Sequence, residues 1–266
     1  MSSSGRKGDG DAFSWERLRA FTAARIGLGD AGGSLPTRPM LAFQLAHARA
    51  RDAVHLAFDM EGMVAGVLQR GWCALRVVSA VHDRAEYLKR PDLGRKLSVV
   101  SRAALRDQQQ PDRRYAVAFV LADGLSALAV HRHGLPLLEV VLPRLAERGW
   151  DVAPIVLASQ ARVALGDEVA ALLPARIVVM LIGERPGLSS PDSLGVYMTH
   201  EPTPGCTDAQ RNCISNIRPE GLGYDLAGRK LVYLLEESAR RGLSGVNLKD
   251  EFDALASPAV TARLAE

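Results

Sequence analysis

The chain has 266 residues, of which 47% are hydrophobic and 24% are charged, and its formal net charge is +3. Such a composition is typical of a globular protein with a substantial buried core, and excludes fibrous and intrinsically disordered classes. No apolar run approaches the length of a membrane span, and the start MSSSGRKGDGDAF lacks an apolar signal region. We therefore expect a cytoplasmic protein with no membrane association.

The distribution of charge limits the kinds of partner to expect, and the spacing of the cysteines indicates the redox compartment. Residues 1–114 hold 19 Lys/Arg against 12 Asp/Glu, which suggests a basic half that meets something acidic. A solvated arginine-rich surface is the alternative that such runs usually favour. Aromatic residues are scarce, so a nucleic-acid partner is not expected. The three cysteines lie far apart with no Cys-x-x-Cys, which argues against a zinc ribbon or a disulfide framework and fits a reducing compartment.

The first part of the chain is predicted to be a small, mainly helical domain at residues 13–113, after a disordered stretch at 1–12. A helical pattern runs over residues 15–25, and Gly-Gly-Ser at 32–34 favours a turn, with an anion cradle as the alternative. The segment PTRPMLAFQLAHARARDAVHLAF predicts a long helix with its proline in the first turn. Residues 73–81 predict a strand, followed by a basic amphipathic helix and a boundary near residue 113.

The second part predicts a Rossmann- or flavodoxin-like domain at residues 114–248, followed by a tail at 249–266 with no assigned role. Apolar strands at 115–122, 151–158, 176–182 and 194–199 alternate with helices at 135–148, 163–173 and 224–242. Strands that are apolar throughout and separated by helices indicate a parallel sheet covered on both faces. In such sheets ligands bind beyond the carboxyl ends of the strands.

Polar segments follow the ends of these strands. They are Asp123-Gly124-Leu125-Ser126, Gln160-Ala161-Arg162-Val163, Gly183-Glu184-Arg185-Pro186-Gly187 and a loop at 211–219 that contains Cys213. Each segment also has an ordinary explanation, namely a helix cap at Asp123 or Ser126, a surface ion pair between Glu184 and Arg185, and a small buried side chain at Cys213. Their coincidence at one sheet edge predicts a ligand crevice there.

The missing motifs limit what this crevice binds. There is no Gly-x-Gly-x-x-Gly after the first strand, no phosphate-binding loop of the NTPase kind, and no His-Glu-x-x-His. These absences weaken a simple nicotinamide, NTPase or metal assignment. A self-contained Rossmann-like enzyme with a nucleotide cofactor and a scaffold with an empty sheet edge both remain open.

Eight short segments together resemble the small (light) subunit of ethanolamine ammonia-lyase. They are GGSLPTR (32–38), LAHARARDAV (45–54), YLKRPDLGRKL (87–97), ADGLSA (122–127), ARVALGDE (161–168), LIGERPGL (181–188), CISNIRPEG (213–221) and SGVNL (244–248). They occur in the expected order across most of the chain, and each alone is short. The resemblance implies a subunit without catalytic residues or a protein-bound metal of its own.

The resemblance also implies a partner, a cofactor and a reaction. The large subunit is a TIM barrel that holds ethanolamine and the catalytic residues, and adenosylcobalamin lies between the two subunits. A 5′-deoxyadenosyl radical abstracts hydrogen from ethanolamine, which yields acetaldehyde and ammonia. The implied assembly is a hexamer of heterodimers. Packaging in a bacterial microcompartment is associated with a longer N-terminal extension than the dozen residues seen here.

The candidate cofactor-binding residues are Val163, Glu184 and Cys213 by resemblance, together with their neighbours Arg162 and Arg185. Cobalamin is a broad corrin fringed with amides, and its nucleotide tail carries a phosphodiester. Glu184 is suited to accept from a corrin amide, while Arg185 is suited to orient Glu184 or to donate to an amide carbonyl. Val163 and Cys213 offer compact apolar contact, with no sign of an activated thiolate at Cys213.

Overall fold

The computed structural model describes residues 15–22, 24–29, 33–109 and 112–252. The disorder predicted for residues 1–12, Gly32 of the Gly-Gly-Ser segment and the tail beyond Phe252 lie outside the described residues. The chain divides into two compact units, Met1–Arg49 and Ala50–Glu266. Helix α1 (Trp15–Arg19) lies in the first unit, and α2 (Thr37–His55) begins in the first and ends in the second.

The second unit alternates helices and strands. In chain order it contains α3 (Met60–Gln69), β1 (Ala74–Val78), α4 (Arg84–Lys89), α5 (Val99–Asp107), β2 (Tyr115–Ala122), α6 (Ala127–Glu147), β3 (Ile155–Ser159), α7 (Leu165–Leu172), β4 (Ala175–Gly183), β5 (Leu194–His200), β6 (Arg211–Ile217) and α8 (Tyr224–Arg241). The α/β class expected from the sequence is confirmed.

The six strands form one mixed sheet in the order β1-β3-β2-β4-β5-β6. Strands β1 to β4 are parallel, while β5 is antiparallel to β4 and β6 is antiparallel to β5. The expectation of a sheet parallel throughout is therefore wrong. Only residues 184–193 join β4 to β5, which is too short for the crossover of a dozen or more residues that a parallel return requires.

The central residues of β2, β3 and β4 are apolar because helices cover both faces of the sheet. Val117, Phe119 and Leu121 of β2 face a core shared with α3, α6 and α8. Ala118 and Val120 face a second core shared with α5 and α7. Burial of both faces removes the polar side chains that a half-exposed strand would alternate with apolar ones.

Three further expectations differ from the structure. The segment 211–217 is the edge strand β6 rather than a loop. Helix α6 begins at Ala127 rather than near residue 135, and accommodates Pro136 and Pro143 in its interior. Strand β1 belongs to the same sheet as the later strands, which the sequence analysis did not predict.

Candidate functional site

The carboxyl ends of the four parallel strands meet at one edge of the sheet. Val78 of β1 pairs with Ser159 of β3, and Ala122 of β2 pairs with both Ala158 and Ile182. Strand β5 begins at this edge and strand β6 ends there, so that Leu194 lies beside both Gly183 and Ile217. The segments at 123–126, 160–163 and 183–187 therefore converge as the sequence predicted.

The first of these segments packs closely against the end of β4. Gly124 has a left-handed φ of 55°, and the Leu125 N–H donates to the Gly183 carbonyl oxygen over 2.9 Å. A Cβ on Gly183 would overlap the Ser126 carbonyl oxygen and lie 2.6 Å from that of Asp123. These contacts explain why glycine occupies both turns. Ser126 accepts from the Ala129 N–H over 3.3 Å, so its predicted role as a helix cap is confirmed.

Asp123 is not a helix cap but part of a buried charge network. Its Oδ1 accepts from the Ala161 N–H over 3.1 Å, and its Oδ2 lies 3.3 Å from Arg84 Nη1. Arg84 Nη1 also donates to the Gly124 carbonyl oxygen over 2.9 Å. Burial raises the pKa of Asp123, while the Ala161 N–H and the Arg84 charge act in the opposite direction. This network fixes the turns after β2 and β3 relative to each other.

The ring of Tyr87 contacts two guanidinium groups. The Arg162 guanidinium carbon lies 4.2 Å from the ring centroid, and that of Arg84 lies 4.7 Å from it. The Tyr87 hydroxyl donates to the Ala161 carbonyl oxygen over 2.9 Å, and burial raises its pKa. The cation–π contact with the buried ring, and a hydrogen bond from Arg162 Nη2 to the Tyr87 carbonyl oxygen over 3.3 Å, hold Arg162 in place without a carboxylate partner.

Glu184 is held by donors from two neighbouring segments. The hydroxyls of Ser193 and Ser215 donate to its Oε2 and Oε1, and the Asn216 N–H donates to Oε2 over 3.3 Å. Asn216 has the left-handed φ of 59°, which turns its N–H toward the carboxylate at the end of β6. A carboxylate offers about four acceptor positions, so Oε1 retains room for a further donor.

Arg185 does not orient Glu184, contrary to one role suggested from the sequence. Within the part of the chain that the structure describes, Arg185 makes no hydrogen bond or ion pair, and its side chain is exposed. The orienting groups are instead Ser193 and Ser215. Arg185 is thus free to donate outward.

Four of the five candidate residues line one cavity of about 220 Å³ at this edge. Arg162 and Val163 come from the segment after β3, and Glu184 and Arg185 come from the segment after β4. Tyr197 of β5 completes the wall. A second cavity of about 770 Å³ shares Arg162, Val163 and Tyr197 with the first, so the two adjoin, and together we call them the cleft.

Cys213 does not line either cavity. It lies within β6 opposite Tyr197, which in turn lies opposite Met180, three residues before the end of β4. Cys213 as a residue is exposed, but neighbouring atoms partly shield its thiol from solvent, and this raises the pKa of the thiol, while hydrogen bonding with Tyr197 acts in the opposite direction. The thiol is therefore neutral near pH 7, and it borders the cleft through the Tyr197 side chain.

Comparison with known proteins assigns the chain to a family. Residues 12–249 match the family described as "Ethanolamine ammonia-lyase light chain (EutC)". The chain belongs to this family. The protein named "Ethanolamine ammonia-lyase small subunit" of Azotobacter vinelandii is 58% identical over 238 residues, which cover 89% of this chain and 88% of that protein. The protein of the same name from Xanthomonas campestris pv. campestris is 60% identical over 240 residues, or 90% and 88% of the two chains.

Family membership confirms the resemblance drawn from the motifs and identifies the chain as the small subunit of a lyase that acts with a large subunit. Within the described ranges, no group of His, Cys, Asp and Glu is arranged to hold a metal ion, and no helix is long and apolar enough to cross a membrane.

Sequence reasoning missed several residues of this light-chain cleft. Tyr197 lies in the middle of a strand that reads as core, and Ser193 and Ser215 carry no motif of their own. Arg84 and Tyr87 lie before β2, in a segment assigned to another domain. The segment YLKRPDLGRKL contributed to the family resemblance. Its residues Pro91, Asp92, Arg95 and Lys96 line the larger cavity.

Proposed function

We propose that this small subunit holds adenosylcobalamin against the large subunit, and that the assembled lyase converts ethanolamine to acetaldehyde and ammonia. The observation that carries the proposal is the convergence of Arg162, Val163, Glu184 and Arg185 on one cleft at the carboxyl edge of the sheet. Ligands of open α/β sheets bind at this edge. We also propose that the domain is Rossmann-like, on the basis of its four parallel strands with helices on both faces.

The donors and acceptors of the cleft suit an amide-fringed ligand. The N–H groups of Val163 and Ala164 donate to no acceptor in the described residues. Such groups are costly to bury unless a ligand or water satisfies them. Glu184 Oε1 supplies a fixed acceptor for an amide N–H. The chain thus presents unpaired donors and an acceptor across one broad opening.

Adenosylcobalamin, when bound, supplies the radical chemistry of the reaction. The residues of this chain bind and orient it. Glu184 accepts from a peripheral amide, Arg185 donates to an amide carbonyl, and the Val163 N–H donates from a rigid turn. Cys213 and Tyr197 provide apolar contact beside the cleft, because the neutral thiol suits packing rather than ligation.

The proposed function also includes the composition of the assembled lyase. The large subunit supplies the catalytic residues, and the expected stoichiometry is a hexamer of heterodimers in the cytoplasm. Family membership favours this role over a self-contained nucleotide-dependent enzyme. A scaffold with an empty sheet edge is the remaining alternative.

The test measures cofactor binding by the co-expressed two-subunit complex. Titration with adenosylcobalamin is followed by visible absorbance for the native complex and for Glu184→Ala. Loss of a hydrogen bond to a charged group costs about 1.5–3 kcal/mol, so we expect Kd to rise about 10- to 100-fold. Ethanolamine turnover should require both subunits and the cofactor.

Glu147→Ala is the matched control, because Glu147 is 75% exposed at the far end of α6. Its Kd should equal that of the native complex. An unchanged Kd for Glu184→Ala, together with corrinoid density in the complex away from residues 162–163 and 184–185, would favour the scaffold. Turnover by the small subunit alone with a nicotinamide cofactor would instead support the self-contained enzyme.

A further inference from the structure

The segment that joins β4 to β5 is fixed near its end by the start of α6. The Ser126 hydroxyl donates to the Pro191 carbonyl oxygen over 2.8 Å. Arg132 Nη1 donates to Asp192 Oδ2 over 2.8 Å, and His133 Nε2 lies 3.4 Å from the same oxygen. The cap and the first two turns of α6 thus hold two consecutive residues of this segment.

Asp192 is a buried carboxylate with a defined charge partner. Its side chain is 12% exposed, whereas that of Arg132 is 57% exposed. Burial acts to raise the pKa of Asp192, but the hydrogen bond from Arg132 and the proximity of His133 together lower it. Asp192 is therefore ionised near neutral pH, and its carboxylate is anchored to α6.

His133 joins this anchor to the start of α8. Its side chain is buried, and its Nδ1 lies 2.7 Å from the Tyr224 hydroxyl oxygen. When that hydroxyl donates to Nδ1, the neutral ring carries its hydrogen on Nε2, which faces Asp192. The distance of 3.4 Å from Nε2 to Asp192 Oδ2 exceeds an ordinary hydrogen bond. The ring therefore contacts the carboxylate electrostatically, while Arg132 holds it by a hydrogen bond.

The next residue, Ser193, holds Glu184 in two ways. The Glu184 N–H donates to the Ser193 carbonyl oxygen over 3.0 Å, and the Ser193 hydroxyl donates to Glu184 Oε2. Ser193 is buried, and a Cβ on Gly195 would lie 2.9 Å from Glu184 Oε1. The Glu184 side chain thus lies against the start of β5, and the location of its carboxylate depends on that of Ser193.

We propose that Asp192 is a positioning residue for Glu184, which it orients through the adjoining Ser193. The inference rests on the proposed function, in which the Glu184 carboxylate accepts from a peripheral amide of cobalamin. Asp192 lines neither cavity of the cleft, so its effect on the cofactor is indirect. An acceptor that is fixed before the ligand arrives loses less conformational freedom on binding, and this strengthens binding.

The test measures adenosylcobalamin binding by the two-subunit complex that carries Asp192→Asn. The amide keeps the size of the carboxylate but loses the charge that pairs with Arg132. We expect Kd to rise about 3- to 10-fold, because Ser193 then holds Glu184 from a looser segment. In turnover assays the KM for adenosylcobalamin should rise by the same factor, while kcat at saturating cofactor stays unchanged. A general loosening of the fold would lower kcat as well.

A double-mutant cycle identifies the route of the effect. Asp192→Asn should have no further effect on Kd in the Glu184→Ala background, and a smaller effect in the Ser193→Ala background than in the native one. Ser193→Ala alone should raise Kd, because it removes the hydroxyl that donates to Glu184 Oε2. This second variant keeps the ion pair between Asp192 and Arg132, so it tests the same route even where Asp192→Asn folds poorly.

Asp151→Asn is the matched control. It makes the same substitution in another arginine–aspartate pair, in which Arg113 Nη2 lies 2.9 Å from Asp151 Oδ1. Asp151 precedes the start of β3, whereas the cleft lies beyond the end of that strand. Kd, KM and kcat of this variant should equal those of the native complex.

A native Kd for Asp192→Asn, or an equal proportional rise of Kd in the native and Glu184→Ala backgrounds, would overturn the positioning role. If Glu184→Ala alone still raises Kd in that case, the proposed function stands and only the role of Asp192 falls. If Glu184→Ala leaves Kd unchanged, the failure lies with the proposed function, and the positioning role falls with it.

Discussion

The Arg211 guanidinium forms a two-pronged ion pair with the Asp167 carboxylate, with Nη1–Oδ1 at 2.7 Å and Nη2–Oδ2 at 2.6 Å. The side chains are 2% and 1% exposed. Arg211 begins the edge strand β6, and Asp167 lies in the first turn of α7. The pair therefore ties the strand that carries Cys213 to the helix that follows Val163.

Asp167→Asn should destabilise the fold strongly. The buried guanidinium would lose its counter-charge, which costs about 3–5 kcal/mol when one partner of a buried pair is removed. Urea unfolding, followed by circular dichroism, gives the free energy of unfolding. Glu139→Gln is the control, because it breaks the partly exposed 2.7 Å pair with Arg70 and should cost less than about 1 kcal/mol. Equal losses in the two variants would contradict the assignment.

Gly183→Ala should also destabilise the chain, by steric overlap. The added Cβ would meet the backbone carbonyls of Ser126 and Asp123, which are fixed by the start of α6. Overpacking of this kind costs about 1–3 kcal/mol. Gly223→Ala is the control, since a Cβ there meets no atom within 4 Å. Thermal unfolding should separate the two variants, and coincident midpoints would show that the edge relaxes freely.

Local pattern predicted the parallel part of the fold but not its antiparallel edge. Strands β2, β3 and β4 are apolar and alternate with helices, so their type and their parallel direction could be read from the sequence. Strand β6 reads as polar because its side chains at Asn212, Ser215 and Asn216 are not buried. The short connection at 184–193 was the available signal that β5 returns antiparallel.

The candidate site was predictable where it depends on strand ends and not where it depends on partners from distant segments. Four of the predicted residues adjoin a strand end and line the same cavity. They are Arg162, Val163, Glu184 and Arg185. The donors that orient Glu184 come from β6 and from the loop before β5, and periodicity gives no information about such contacts. Cys213 lies at an interior position of strand β6, and this position places it beside the cleft rather than in it.

The stability of the chain should fall as the pH decreases below about 6.5, the ordinary pKa of histidine. Burial lowers the pKa of His133, and the nearby Asp192 acts in the opposite direction. Burial likewise lowers the pKa values of His131 and His200. A depressed pKa in the folded state means that the unfolded chain binds more protons between that value and about 6.5, so unfolding free energy rises with pH in this window.

The check is urea unfolding at several pH values between about 5 and 7.5, a range that spans the ordinary histidine pKa. His133→Gln removes one titrating group, so its free energy of unfolding should depend less steeply on pH than that of the native chain. His82→Gln, at an exposed position, should keep the native slope. A slope of opposite sign in the native chain would contradict the lowered pKa values of His131, His133 and His200.

Ser215→Ala should weaken cobalamin binding only through Glu184. The Ser215 hydroxyl donates to Glu184 Oε1, and without it the carboxylate is held by fewer donors and is less well placed to accept from a corrin amide. We expect the Kd of the two-subunit complex to rise severalfold, less than for Glu184→Ala, because a positioning group contributes less than the acceptor itself. Ser189→Ala, at an exposed position in the same loop region as Glu184, should leave Kd unchanged. In the Glu184→Ala background the Ser215→Ala effect should vanish, since a double-mutant cycle isolates the pairwise coupling. Additive effects of the two substitutions would mean that Ser215 touches the cofactor independently of Glu184.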